Sequence, residues 1–246
     1  MDKAITLRNV TLTYPNGKSP LRRVSLEIVD KTVNLIMGES GSGKSSLLKL
    51  IAGLIPWIHN AKIGGEIKVV GLNPLNKEDL SKLVSMIGYA PQSTDYAFMH
   101  VHVIDELISR QRFLEENNID IKVDVQDVIE LLELKSVVNY RIDWLSGGYK
   151  RRLLLARALI GPPRIVLLDE PLGDLDDAAK LDLINILPIV KRRSTLIIAE
   201  HNINPLLDVV DNTMVLLNGE IHVVDKENVH EVIGECKCWY FLKMFT

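Results

Sequence analysis

The stretch Gly38-Glu39-Ser40-Gly41-Ser42-Gly43-Lys44-Ser45 decides how this chain is read. It fits G-x-x-x-x-G-K-[S/T], the pattern of a loop that wraps phosphate oxygens. Before it, Val33-Asn34-Leu35-Ile36-Met37 is short, apolar and strand-like. After it, Ser46-Leu47-Leu48-Lys49-Leu50-Ile51-Ala52 reads as a helix start. The order strand, loop, helix is the context the motif needs. Glycines let the backbone curl so that successive N–H groups point inward, and the helix N-terminus adds partial positive charge. In such a loop Lys44 reaches the β- and γ-phosphates and the Ser45 hydroxyl ligates Mg²⁺. A Gly/Ser-rich turn arising by accident has no reason to carry both flanks.

The 246 residues suffice for one large domain or two modest ones with a substantial core. Hydrophobic and charged contents of 47% and 25% place the chain among ordinary folded proteins. A formal net charge of −3 gives no electrostatic reason to expect nucleic acid as a partner. Cys236 and Cys238 form a C-x-C, a poor spacing for an unstrained disulfide, and no second metal-type cluster accompanies them. A reduced, cytosolic setting is therefore expected. The N-terminus is charged from Asp2 onward and lacks the apolar core of a signal peptide. No uncharged apolar run approaches the length of a membrane span, so any membrane attachment has to come through something else.

Working outward, residues 4–13 are β-branched and partly alternating, and Tyr14-Pro15-Asn16-Gly17 breaks them as a turn. Val24–Ile28 alternates again, which predicts an antiparallel hairpin. Tyr14, at the lip of that turn, reads as a half-buried strand-end aromatic or as something more. Gly64-Gly65 precedes a strand at 66–70, a helix is expected over 77–84, and a strand over 85–90 closes on Pro91-Gln92. Residues 102–160 carry helical periodicity without strand alternation and predict an all-helical insert. Ile165-Val166-Leu167-Leu168, apolar at every position, reads as a central parallel strand. A helix over 177–190, a strand over 195–199 and a hairpin around Asn218-Gly219 complete the pattern.

Leu167-Leu168-Asp169-Glu170 ends a strand in two carboxylates. Beside a phosphate loop, that is where a second Mg²⁺ ligand comes from, and Asp169 fills the role. Glu170 then faces the γ-phosphate, placed to orient or deprotonate the attacking water. Ser146-Gly147-Gly148 opens a further helix and offers a second anion cradle, or else an ordinary capped helix start. Two cradles share one lysine and one acidic pair, so the second one fits a nucleotide held by another protomer.

With these residues in place, the chain resembles the nucleotide-binding subunit of an ATP-binding cassette (ABC) transporter, from about residue 5 to 222. Leu145-Ser146-Gly147-Gly148 is similar to that family's signature sequence. The resemblance implies an α/β fold: a phosphate-loop NTPase core with an N-terminal antiparallel β-subdomain and an inserted α-helical subdomain. It implies one domain over 1–246, with core and β-subdomain at about 1–95 and 160–246 and the helical subdomain at about 96–160. It implies that ATP and Mg²⁺ are bound by Gly38 through Ser46, that Tyr14 stacks on adenine, and that Gln92 touches Mg²⁺ and senses the membrane partner. Leu175-Asp176 resembles the loop crossing the dimer interface, with Asp176 near nucleotide, and His201 resembles the switch histidine at the γ-phosphate. Tyr149 and Gly173-Asp174 depart from the family's usual residues where a dimer would close.

Leu12-Thr13-Tyr14-Pro15, Gly53-Leu54-Ile55-Pro56 and Val103-Ile104-Asp105-Glu106-Leu107 are similar to stretches of energy-coupling-factor (ECF) importers for vitamins and transition-metal ions. The resemblance implies an ATPase that pairs with a second cassette, of the same or a related chain. It implies a transmembrane subunit docked near Gln92–Val101, at the inner face of the cell membrane. In that segment Tyr96, Phe98 and Met99 are expected to line a groove for a cytoplasmic helix, or to tuck under the helical insert. His100 and His102 form an H-x-H without a third ligand nearby. Two other readings stay open: a non-transport ABC ATPase, and a nucleotide-gated dimerisation module with little turnover.

Overall fold

The computed structural model describes residues 2–94, 97–173 and 175–229. The chain begins with β1 (Lys3–Thr13) and β2 (Leu21–Val29), which pair antiparallel across the Tyr14–Gly17 turn as the hairpin signal predicts. β3 (Val33–Met37) leads through the 38–43 loop into α1 (Lys44–Ile51), so the helix starts two residues earlier than expected. β4 (Lys62–Val69) pairs antiparallel with the other edge of β1. Gly64 and Gly65, expected to precede the strand, lie inside it. Gly65 has φ +88°, and a Cβ there would sit 2.5 Å from the Arg8 and Asn9 carbonyl oxygens. The pair thus fits the register shift between Arg8 and Thr11, a bulge.

α2 (Lys77–Met86) follows, and β5 (Ile87–Ala90) begins two residues later than expected. Ser85 stays in the helix, where its hydroxyl donates to the Lys82 carbonyl three residues back. The predicted insert contains α3 (Val103–Glu116), α4 (Val125–Leu131) and α5 (Gly147–Leu159), with no strand among its described residues. β6 (Ile165–Asp169), α6 (Asp177–Lys191), β7 (Thr195–Ala199), β8 (Asn212–Leu217) and β9 (Glu220–Val224) complete the chain.

The main sheet runs β5-β6-β7-β3-β8-β9, parallel except for the antiparallel β8–β9 hairpin. Its central strands are buried on both faces, and successive side chains enter different cores. Val166, Leu168, Leu196 and Ile198 meet the helices of the insert and α6. Ile165, Leu167 and Ile197 meet α1 and the three-stranded sheet. β3, β6 and β7 therefore end side by side. Their C-terminal ends deliver the phosphate loop, the acidic pair and the segment around His201 to one edge.

Candidate functional site

The loop after β3 is fixed by its own chain. Gly43 has φ +116°, and a Cβ there would come within 2.7 Å of the Pro20 carbonyl oxygen, so only glycine fits. Lys44 is buried and its Nζ donates to the carbonyls of Gly38 (2.7 Å) and Glu39 (3.0 Å). Burial pulls its ammonium below the ordinary range, while the carboxylates of Glu170, Asp169, Glu200 and Glu39 oppose that shift. The buried Ser42 hydroxyl oxygen has no hydrogen-bond partner within the protein. A cradle with an orphaned hydroxyl and a buried ammonium at the start of a helix fits a phosphate chain.

The Ser45 hydroxyl donates to Asp169 Oδ1 at 3.0 Å, joining α1 to the end of β6. One hydroxyl and one carboxylate, with room for phosphate and water oxygens, is a donor set suited to Mg²⁺. Among the described residues no cluster of three His, Cys, Asp or Glu offers an all-protein alternative. Burial pushes the Asp169 carboxyl above the ordinary carboxylate range. The hydrogen bonds from Ser45 and Tyr89 work against that, and the Glu170 charge adds to it. Tyr89, on β5, donates its hydroxyl to Asp169 Oδ2 at 3.3 Å. Its own hydroxyl is pushed well above the usual phenol range, by burial first and then by Asp169. Sequence reasoning passed over Tyr89; its place three residues before Gln92, on a strand beside β6, was the available signal.

Glu170 adopts φ +47°, which turns it out of the line of β6. Such a conformation costs about 1–3 kcal/mol in a non-glycine residue and persists only where the surroundings enforce it. Here the Glu170 N–H donates to the Ala199 carbonyl (2.8 Å) and its carbonyl accepts the Gly173 N–H (3.3 Å). Gln92 Nε2 donates to Glu170 Oε2 at 2.6 Å, and His201 Nδ1 lies 3.7 Å from the same oxygen. Tyr14 sits at the rim, its hydroxyl donating to Ser46 Oγ at 3.0 Å. Lys18, which the sequence did not single out, lines the same opening beside Gly41.

Lys44, Ser45, Asp169, Glu170, Gln92, His201 and Tyr14 thus surround the loop. Ser146, Gly147, Gly148 and Asp176 do not line that opening. Ser146 caps α5, its hydroxyl accepting the Tyr149 N–H at 3.4 Å, and Asp176 caps α6 through the Ala179 N–H at 2.8 Å. Tyr149 turns into its own chain: its hydroxyl is 3.4 Å from Ser136 Oγ and Arg152 lies over its ring. Asp174, and Cys236 with Cys238, lie outside the described residues.

The segment after Gln92 corrects one expectation. Phe98 is not an open groove residue, because it packs against the helical core with the Arg157 guanidinium over its ring. Arg157 also donates to the Ala97 carbonyl and to Glu106 Oε1. Fully buried Glu106 accepts the N–H groups of Met99 (2.9 Å) and His100 (3.0 Å) and meets His100 Nδ1 at 3.1 Å. His102 instead faces Asp105, so the H-x-H pair splits between two carboxylates. Met99 is 80% exposed, and Val101, Tyr140 and Trp144 are exposed as well. Tyr96 lies outside the described residues. No described helix is long and apolar enough to cross a membrane.

Known proteins resemble this chain in sequence and fold. The ABC transporter family model fits residues 21–173. An ABC transporter ATP-binding protein of Archaeoglobus fulgidus is 32% identical over 94% of this chain and 93% of its own length. One of Sulfurisphaera tokodaii is 31% identical over 93% of this chain and 48% of its own length. This chain spans about half or less of several of its relatives. CbiO1 of Clostridium perfringens, described as part of the cbiONQ transporter complex, superposes with a TM-score of 0.76. It covers 100% of this chain and 96% of its own at 21% identity, a likeness of fold. A dimeric cassette bound to ADP and Pi, MJ0796, superposes at 0.73 over 90% of this chain and 98% of its own, with 25% identity. The chain belongs to the ABC transporter family, as one of its ATP-binding domains.

Proposed function

We propose that this chain binds ATP with Mg²⁺ and hydrolyses it, paired with a second cassette, to drive a membrane importer of ECF type for a vitamin or transition-metal ion. One observation carries the hydrolysis: Gln92, Glu170 and His201 meet beside Lys44 and the Ser45–Asp169 pair. Lys44 and the loop amides hold the phosphates, and Tyr14 stacks on the adenine. Ser45, Asp169 and Gln92 hold Mg²⁺, which when bound neutralises charge on the phosphate oxygens. Glu170 orients and deprotonates the attacking water, and His201 contacts the γ-phosphate.

Ser146, Gly147, Gly148 and Asp176 serve the nucleotide of the partner cassette across a head-to-tail dimer. The unit divides into a core at about 1–95 and 160–246 and a helical subdomain at about 96–160. The exposed residues Met99, Val101, Tyr140 and Trp144 give the transmembrane subunit its docking surface near Gln92, on the cytoplasmic face of the membrane. The ECF reading rests on the three short stretches above and on the likeness of fold to CbiO1.

Two substitutions test the chemistry. Glu170→Gln should keep ATP binding and lower turnover by about 10²–10⁴-fold, the contribution of a positioned base. Lys44→Ala should weaken nucleotide binding itself. Turnover by the Glu170→Gln protein near the parent rate would sink the role of Glu170. Copurification of a membrane protein from detergent-solubilised membranes tests the importer reading, and Met99→Asp with Val101→Asp should abolish it while ATPase activity remains.

A further inference from the structure

Glu200 follows β7 directly, and its side chain is 1% exposed although it lies beside the phosphate loop. None of the roles proposed above uses it. Its Oε1 accepts the N–H groups of His201 (3.0 Å) and Asn202 (3.4 Å) and lies 3.2 Å from His201 Nδ1. Its Oε2 accepts the N–H of Leu172 at 3.3 Å. The Glu200 N–H itself donates to the Ile36 carbonyl of β3 at 3.1 Å.

A carboxylate taken out of water is costly unless hydrogen bonds and charges compensate. Here the compensation is divided between two segments. One oxygen holds the backbone that carries His201. The other holds the turn that leaves Glu170, at the Leu172 N–H. Burial behind three backbone N–H groups keeps Glu200 from taking a proton from water at the γ-phosphate, so it is not a second base. What it does reach is His201 Nδ1, which stands between Glu200 Oε1 at 3.2 Å and Glu170 Oε2 at 3.7 Å.

We propose that Glu200 is a positioning residue. Its carboxylate engages Nδ1 of His201, which leaves contact with the γ-phosphate to Nε2, and it fixes that ring relative to the turn bearing Glu170. One side chain thereby ties the His201 ring to the turn at Leu172.

This inference rests on the role of His201 proposed above, and the two separate experimentally. The kcat and KM for ATP with Mg²⁺, together with the melting temperature, are measured on the full chain as Glu200→Gln, His201→Ala and the double variant. Glu200→Gln keeps the shape but removes the charge facing Nδ1. It should lower kcat about tenfold with KM within about twofold, a misplacement effect confined to the chemical step. The double variant should be no slower than His201→Ala alone, because Glu200 acts through the histidine. Losses that multiply in the double variant, or an unchanged kcat for Glu200→Gln, overturn the proposal. Should Glu200→Gln melt too low to assay, Glu200→Asp keeps the charge but shortens its reach, and an unchanged kcat there overturns it too. A His201→Ala protein with full turnover refutes the role of His201 first and that of Glu200 with it. A slow His201→Ala beside a fast Glu200→Gln refutes Glu200 alone.

Discussion

Two turns in this chain present glycines and backbone N–H groups at a helix N-terminus, and they are built in opposite ways. Around residues 38–45 the chain itself completes the site. Gly43 is required by the Pro20 carbonyl pressing on it, Lys44 is buried against two carbonyls, and Ser45 already meets Asp169. Around Ser146–Gly148 the chain leaves room. A Cβ on Gly148 would meet nothing nearer than 3.8 Å, an ordinary contact, and Ser146 and Gly147 are exposed. A glycine demanded by its own neighbours belongs to a finished site. The space at Gly148, beside exposed Ser146 and Gly147, leaves room for a group from outside, as the proposed head-to-tail pairing requires.

The largest effect that sharpens this contrast is expected at Glu106. Arg157, on the same helix that opens with the second turn, is held by fully buried Glu106. Glu106→Gln removes one partner of that pair and should cost about 3 kcal/mol, read as a lower melting temperature. The damage should fall on the helical insert, so a parallel loss of nucleotide affinity would break the division between the two turns. Acid should act the same way. Burial alone would raise the Glu106 carboxyl, but the Arg157 and Met99 hydrogen bonds, the Arg157 charge and His100 together hold it below the ordinary range. Its stabilisation is therefore complete above the unfolded-state pKa of about 4.3 and is lost as pH falls through the lower folded value. The Glu106→Gln protein should lack that acid-dependent fall in melting temperature.

Next comes Gly43→Ala. The left-handed φ alone costs about 1–3 kcal/mol in a residue with a side chain, and the contact with the Pro20 carbonyl adds to it. Melting temperature and ATP affinity should fall together. An alanine accepted there without loss of either would mean that the loop is not the finished site described.

The smallest effect on folding is expected at the open turn. Gly148→Ala should change stability by no more than about 1 kcal/mol, since alanine suits a helix better than glycine. Ser146→Arg should likewise fold. Both should abolish the dimer expected of the Glu170→Gln protein with ATP, as read by sizing. If dimer and turnover both survive Ser146→Arg, the second turn is a helix cap and nothing more.

The sequence by itself determined the strand–loop–helix of the phosphate loop, the buried parallel strand ending in Asp169-Glu170, and the helical character of the insert. Each is a local pattern: fixed motif spacing, or a hydrophobic period of 2 or 3.6, which survives being read one residue after another. Tertiary structure alone decided what depends on residues distant in sequence. The sequence starts the strand after Gly64-Gly65, and only the Arg8 and Asn9 carbonyls across the sheet place the pair inside it as a bulge. Phe98 could by sequence line a groove or tuck under the insert, and Arg157, 59 positions further along the chain and lying over its ring, decides for the latter. Tyr89 and Glu200 carry no motif at all. Their importance comes from Asp169 and Leu172, brought to them by the parallel order of β5, β6 and β7. Burial is a property of the assembled fold, so a buried carboxylate and an exposed one are spelled with the same letter.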